Sequence, residues 1–244
     1  MLALRSIVDE IVIWWPISPQ IAVSWDRTLG VSREQAAKNR QAIVAAASQL
    51  FRERGVDAVG LNELMRHAGF TQGGFYNHFE SKADLVAEVL AAAMAEGAAA
   101  LADGISPAAG ETRTALDRYV GHYLSRGHRD DVDHGCPVAG FAGDAPRLGA
   151  EAQSRFATGL DDQITILAGL IAENGVGAER GERRSLREKA IGLHSKLVGA
   201  LVLSRSVAKT APALSNEILD VVVRDVLASL GSPGPLPGRQ RKKH

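Results

Sequence analysis

The chain has 244 residues, 45% of them hydrophobic and 23% charged, with a formal net charge of zero. That length allows one large domain or two small ones, each with a real core, and neutrality leaves nucleic acid open because a local basic face is what matters. The sole cysteine, Cys136, excludes an intramolecular disulfide and fits a reducing cytoplasm, the expected location.

Residues 1–30 read as an extension. Its most apolar run, residues 11–15, is far short of the roughly 20 residues that span a bilayer. Asp9 and Glu10 interrupt any signal-peptide core, and Pro16 and Pro19 follow. No segment reads as a membrane span, so no membrane partner is expected. Translation starting near Val31 is one expectation here; N-terminal sequencing of the native protein checks it, and finding Met1 or Leu2 counts against it.

The remainder reads as helix, rich in alanine, with apolar residues at helical spacing and no β-branched alternation. A first helix is predicted from about residue 34 to 54, with Ile43, Ala47, Leu50 and Phe51 on its apolar stripe and Gly55 stopping it. A short second helix covers 61–67, entered through Gly60 and ended by Gly69. Thr71 is placed to cap a third short helix ending near His78. Ser81 opens a fourth that runs to about residue 102, with Asp84 completing a variant capping box. Residues 103–110 read as a loop.

Leu116, Tyr119, Val120, Tyr123 and Leu124 mark another amphipathic helix. Residues 129–135 read as a polar turn and 137–148 as short and broken by Pro146. Phe156, Leu160, Ile164, Leu167 and Ile171 mark one face of a long helix. A loop at 173–182 precedes two apolar helices, about 185–209 and 214–230, and a basic tail from residue 231 reads as disordered.

Two short helices separated by a glycine turn can place the second in a major groove. In the third helix Phe75 faces the core, leaving Gly73 and Asn77 outward beside Gln72 and Tyr76. Gln and Asn can each pair two-pronged with adenine. For Tyr76 a second reading is a core residue with a wet tip. Lys82, in the first turn of the next helix, opposes the helix dipole; a DNA phosphate docked there is the expected reason. Arg33, Lys38 and Arg40 are further candidate phosphate contacts.

Over about residues 33–91 the chain resembles the tetracycline-repressor (TetR) family of bacterial transcription regulators. The matching residues are Leu50-Phe51 followed by Gly55, then Leu64, Ala68-Gly69, Phe75-Tyr76, His78-Phe79 and Ser81-Lys82. The resemblance implies an all-α protein: a three-helix helix-turn-helix DNA-binding domain at 31–80, then a helical ligand-binding and dimerisation domain at 81–230. It places Thr71, Gln72, Gly73, Tyr76 and Asn77 at the groove and Tyr76, His78 and Lys82 on phosphates. Gly60 and Gly74 depart from the family pattern. The expected partners are a double-stranded DNA operator, a second copy of the chain and an unidentified small-molecule inducer. No cofactor, metal or enzymatic activity is expected.

In the C-terminal half, Leu193, Leu197, Leu201, Ile218, Val222 and Val226, beside Gly192, Gly199 and Ala200, suit a four-helix dimer interface, or alternatively an internal core. Tyr119, Tyr123, Cys136, Phe141, Phe156 and Leu160 are candidate inducer contacts, the aromatic ones alternatively plain core. Cys136 precedes Pro137 and is expected at a helix N-cap, where a thiol can react with electrophiles or oxidants. A small buried hydrophobe is the other reading of Cys136. The His128, Asp130, Asp131, Asp133 and His134 cluster reads as a solvated acidic loop rather than a metal site. A thiol-based sensor acting through Cys136, and an activator on the same fold, stay open beside a repressor.

Overall fold

The computed structural model describes residues 32–103, 114–173 and 182–230. The expected extension (1–30), the start near Val31, most of the loops at 103–110 and 173–182, and the tail from 231 lie outside the described residues. Among those described, the elements are all helical: α1 (Arg33–Arg54), α2 (Leu61–His67), a 3-10 segment (Gln72–Asn77), α3 (Lys82–Asp103), α4 (Ala115–Tyr123), α5 (Arg126–Asp130), α6 (Pro137–Phe141), a 3-10 turn (Ala145–Arg147), α7 (Ala150–Glu173), α8 (Glu182–Val207) and α9 (Pro212–Ser229).

Helix ends follow local chemistry. The Ser32 hydroxyl accepts the Gln35 amide at 3.1 Å, starting α1. Two glycines take left-handed backbone, Gly55 (φ 86°) after α1 and Gly69 (φ 83°) after α2. At Gly69 the amides of Gly69 and Phe70 reach back to the carbonyls of Arg66 and Met65, at 3.1 and 2.8 Å, closing a Schellman motif. Ser81 accepts the Asp84 amide at 3.2 Å.

Two hydrophobic cores form, with α3 belonging to both. The N-terminal core joins Ile43, Leu50, Phe51, Leu64, Met65, Phe75 and Phe79 to Leu85, Val89 and Leu90 of α3, and also to Phe141 and Ala152. It therefore extends past residue 80, into α3, α6 and α7. The C-terminal core gathers Met94 and Leu101 of α3 with α4, α7, α8 and α9. α3 packs most extensively against α7. By length and composition α3 is apolar enough to cross a membrane, which corrects the reading of no such segment; its apolar face is instead taken up by the two cores.

Leu193, Leu197, Leu201 and Val226 lie in the chain's own core. That corrects their placement on an interface. The apolar residues left outside are Ile191, Val202 and Leu203 of α8 and Leu214 and Val221 of α9. Gly192 and Gly199, seven residues apart, have open space where a side chain would stand.

His194 on α8 is buried, and neither ring nitrogen has a partner. Burial lowers its pKa from the ordinary imidazole value. The unfolded chain therefore takes up this proton near pH ~6.5, the folded chain only at lower pH, and acidification across that interval destabilises the fold. His194→Leu is expected to stabilise by roughly 1–2 kcal/mol, because leaving a buried polar group unsatisfied costs about that much. It should also reduce the fall in Tm between about pH 7.5 and 5. Calorimetric melting at both pH values checks this, and a lower Tm for the variant at neutral pH counts against it.

Candidate nucleic-acid interface and adjoining cavity

The segment 72–77 is a 3-10 helix rather than the expected α-helix. The Gly74 amide donates to Thr71 O at 3.0 Å and the His78 amide to Phe75 O at 2.9 Å. Adjacent Gly73 and Gly74, each poor in helix propensity, leave a segment this short free to tighten. Thr71 occupies the cap position, but its side chain makes no capping bond.

Phe75 anchors the segment. It is fully buried, stacks on Phe79 with ring centroids 5.4 Å apart and meets Tyr76 edge-on at 5.3 Å. Around that anchor Thr71, Gln72, Gly73, Tyr76 and Asn77 are exposed. Tyr76 is 67% exposed, so the wet-tipped core reading does not hold. The result is a convex ridge of amide, phenol and bare backbone, held by one buried aromatic ring. Such a ridge can enter a groove and offer donors and acceptors to base edges. His78, half-buried, tilts against Phe70 at 6.4 Å.

The cations divide into two groups. Arg33 and Lys38 are exposed at the start of α1, Lys38 paired with Glu34 at 2.7 Å, an exposed pair of little energetic weight. Arg40 and Lys82 are committed inside the domain. Arg40 grips the Glu88 carboxylate with Nε and Nη2, donates Nη1 to His78 O and lies 4.1 Å over the Phe79 ring. It ties α1 to α3 and to the end of the recognition segment. Lys82 Nζ donates to Val56 O and Val59 O, both at 2.7 Å. This changes the reason for Lys82: its ammonium satisfies two carbonyls of the α1–α2 connection, so a phosphate is no longer needed to explain a cation at that helix start.

Lys82→Met keeps the stem and removes those bonds. It is expected to cost roughly 1.5–3 kcal/mol, the range for hydrogen bonds to charged groups. Thermal unfolding measures it; an unchanged Tm would return Lys82 to a purely DNA-facing role.

Beside this domain lies a cavity of about 510 Å³. Tyr119, Tyr123 and Cys136 border it as expected; Phe141, Phe156 and Leu160 do not. Phe141 is buried in the N-terminal core, Phe156 packs against both cores and Leu160 against the C-terminal one. Periodicity identifies a buried helix face but not which buried residues meet an opening. Arg52, Gly97 and Gln163 were missed and do border it. Arg52 is a basic residue in the last turn of α1, where the helix dipole alone accounts for it, so nothing in the sequence marks it as buried.

Asp130, Asp131 and His134 are exposed, in keeping with a solvated acidic loop, but the loop's backbone and His128 are clamped. His128 Nδ1 meets Tyr123 O at 2.7 Å, and Nε2 accepts the Cys136 amide at 3.0 Å, so this network holds the ring neutral with its proton on Nδ1. Burial lowers the pKa of His128 accordingly. Arg205 donates to the carbonyls of Arg129, His128 and Asp131 at 2.9–3.0 Å. No group of three or more metal-ligating side chains occurs among the described residues. Cys136 is buried and stands at the N-cap position of the five-residue α6 without a side-chain capping bond, with Pro137 at the first position.

This loop, and Asp144 after α6, also touch the N-terminal domain. Arg52 Nη1 donates to Gly135 O at 2.7 Å, Gln49 Nε2 to Asp133 Oδ2 at 3.2 Å, and the Val56 amide to Asp144 Oδ2 at 3.0 Å.

A helix-turn-helix with an exposed polar ridge, joined through a shared helix to a helical domain with a cavity, defines the class: a DNA-binding domain on a helical companion. The family model described as "Bacterial regulatory proteins, tetR family" matches residues 43–89. The HTH-type transcriptional repressor BepR of Brucella suis biovar 1 (strain 1330) is 42% identical over 59 residues, 24% of this chain and 28% of that protein. The HTH-type transcriptional regulator AcrR of Shigella flexneri is 38% identical over 58 residues, 24% and 27% of the two chains. The matched stretch thus spans little more than a quarter of these relatives. In overall fold the chain is similar to reduced E. coli NemR (TM-score 0.63, 21% identity, 78% of this chain and 97% of that one). It is likewise similar to a TetR transcriptional regulator of Chloroflexus aurantiacus (TM-score 0.65, 18% identity, 84% and 100%). The N-terminal domain is a tetR-family DNA-binding domain, and the helices that follow complete the fold of solved TetR regulators.

Proposed function

We propose that the chain is a ligand-responsive transcriptional regulator of the bacterial cytoplasm, a repressor that binds a palindromic operator as a homodimer and is released by a small molecule. The observation that carries this is the exposed Gln72-Gly73-Tyr76-Asn77 ridge seated on buried Phe75. Arg33 and Lys38 supply phosphate contacts beside it, and affinity should fall steeply with salt. The outward apolar residues of α8 and α9, with the open surface at Gly192 and Gly199, support a two-fold dimer through those helices. Such a dimer sets its recognition segments on successive major grooves, about 34 Å apart. A ligand favouring a different spacing shifts the population off DNA.

Genome-wide selection of bound DNA tests the reading. The expected result is an inverted repeat with half-sites one helical turn apart, and Gln72→Ala should relax preference at one base pair in each. Light scattering after size exclusion should give twice 25.9 kDa. A monomer, or bound fragments without a repeated half-site, overturns it.

A further inference from the structure

The cavity beside the DNA-binding domain holds a guanidinium with too few partners. Arg52 is buried, yet among the described residues its one hydrogen bond runs from Nη1 to Gly135 O. It has no carboxylate at ion-pair distance, and Nε is shielded from solvent with no partner at all. The Phe141 ring lies 5.6 Å away. Burying a cation is costly unless it is paired and hydrogen-bonded, and five N–H donors sharing one acceptor leave most of that cost standing. Burial correspondingly lowers the Arg52 pKa. One more side chain of the cavity wall, Gln163, buries its Nε2 without a partner, while the Tyr123 hydroxyl is buried against the Cys136 thiol. Arg52 and Gln163, each with an orphaned polar atom, border one cavity, whose volume falls in the range of small-molecule sites.

With Nη1 on Gly135 O and Nε shielded from solvent, Nη2 is the donor of Arg52 that is neither bonded nor shielded, and it can take one oxygen of a carboxylate. Tyr119 and Tyr123, their rings tilted at 56° with centroids 5.6 Å apart, give the cavity an aromatic wall, and Ala93, Gly97 and Leu101 of α3 also line it. Glu96 and Asp131 also border the cavity; both are exposed and neither reaches ion-pair distance of Arg52, though Glu96 is its strongest charged neighbour. We propose that the cavity binds a small aromatic monocarboxylate, its carboxylate on Nη2 of Arg52 and its ring against Tyr119 and Tyr123. Arg52 belongs to α1 and holds the carbonyl next to Cys136, so the carboxylate would sit on the same guanidinium whose Nη1 joins the DNA-binding domain to the 131–136 loop. This deepens the regulator reading and rests on it for biological meaning, but not for the binding itself.

Isothermal titration of the full chain, free of DNA, with benzoate, cinnamate and 2-naphthoate and their carboxamides tests it. At least one carboxylate should bind at least tenfold more tightly than its amide. Arg52→Met should abolish that preference while leaving amide affinity unchanged, and Arg52→Lys should keep part of it. If Arg52→Met does not fold, the wild-type carboxylate-to-amide ratio and the lysine variant decide. Equal affinities for acid and amide, no binding by any of the three acids, a preference surviving in folded Arg52→Met, or retention seen by mass spectrometry only as an adduct on Cys136 each overturns the proposal. DNA selection is scored separately. A chain that discriminates carboxylates but selects no operator refutes the regulator reading alone; one that selects an operator without discriminating refutes this proposal alone.

Discussion

Phe75→Ala should cost about 3–5 kcal/mol, the range for emptying a buried phenylalanine site, and lower Tm by roughly 10 °C for a chain of this size. The ring has no exposed surface and sits between Phe79 and Tyr76, in the same core as Leu64 and Met65. Two of the six residues of the 72–77 segment are glycine, and Phe75 is its one buried side chain. Operator affinity should fall together with stability. Tyr76→Ala provides the contrast. Its ring is mostly in solvent, so stability should move by no more than about 0.5 kcal/mol while operator affinity falls. Melting curves and mobility-shift titrations of both variants measure the difference. Equal losses of Tm would mean that Tyr76 is structural and that the ridge has been misread.

The second large effect is expected where α3 crosses α7. A Cβ on Gly159 would stand 2.3 Å from Met94 Cβ, an atom fixed to the backbone of α3, so the two helices must separate. Gly159→Val should therefore destabilise by about 3 kcal/mol or more, at the top of the usual overpacking range. Gly169 lies on the same helix with nothing within 4 Å. Gly169→Ala should stabilise by about 0.5–1 kcal/mol, the difference between the two residues in a helix interior. Opposite signs for two glycines of one helix would identify close packing, rather than helix propensity, as the controlling quantity. A stable Gly159→Val would show that this crossing can open at little cost. Because α3 serves both cores, and Gly97 packs against Pro137 and Gln163 at the cavity, the same substitution should weaken ligand binding as well.

Much of the candidate interface was legible in the sequence because it rests on short-range rules. Gly55 and Gly69 mark left-handed turns, Ser81 and Asp84 a helix start, and Phe75 the buried side of a segment too short to have more than one. These depend on residues within about one turn of each other, which is the range over which backbone sterics and capping act. The type of the recognition segment was less legible. Whether a run of six residues closes as a 3-10 or an α-helix depends on small differences that two glycines do not settle.

What the sequence alone determined is the all-helical class, the helix-turn-helix and the polar ridge: periodicity, glycine turns and one aromatic anchor are local and sufficient. Only the tertiary structure decided which charges are free and which apolar residues are core. Arg40 finds Glu88, Lys82 finds Val56 and Val59, and Arg52 finds Gly135, across gaps of 23 to 83 residues. Leu193 and Leu197 turn inward while Ile191 and Leu203 turn out. A side chain's charge and size are written at its own position. Its partners are set by which helices the hydrophobic cores bring together, and burial then decides whether a cation is a solvated surface group or, as at Arg52, one still short of a partner.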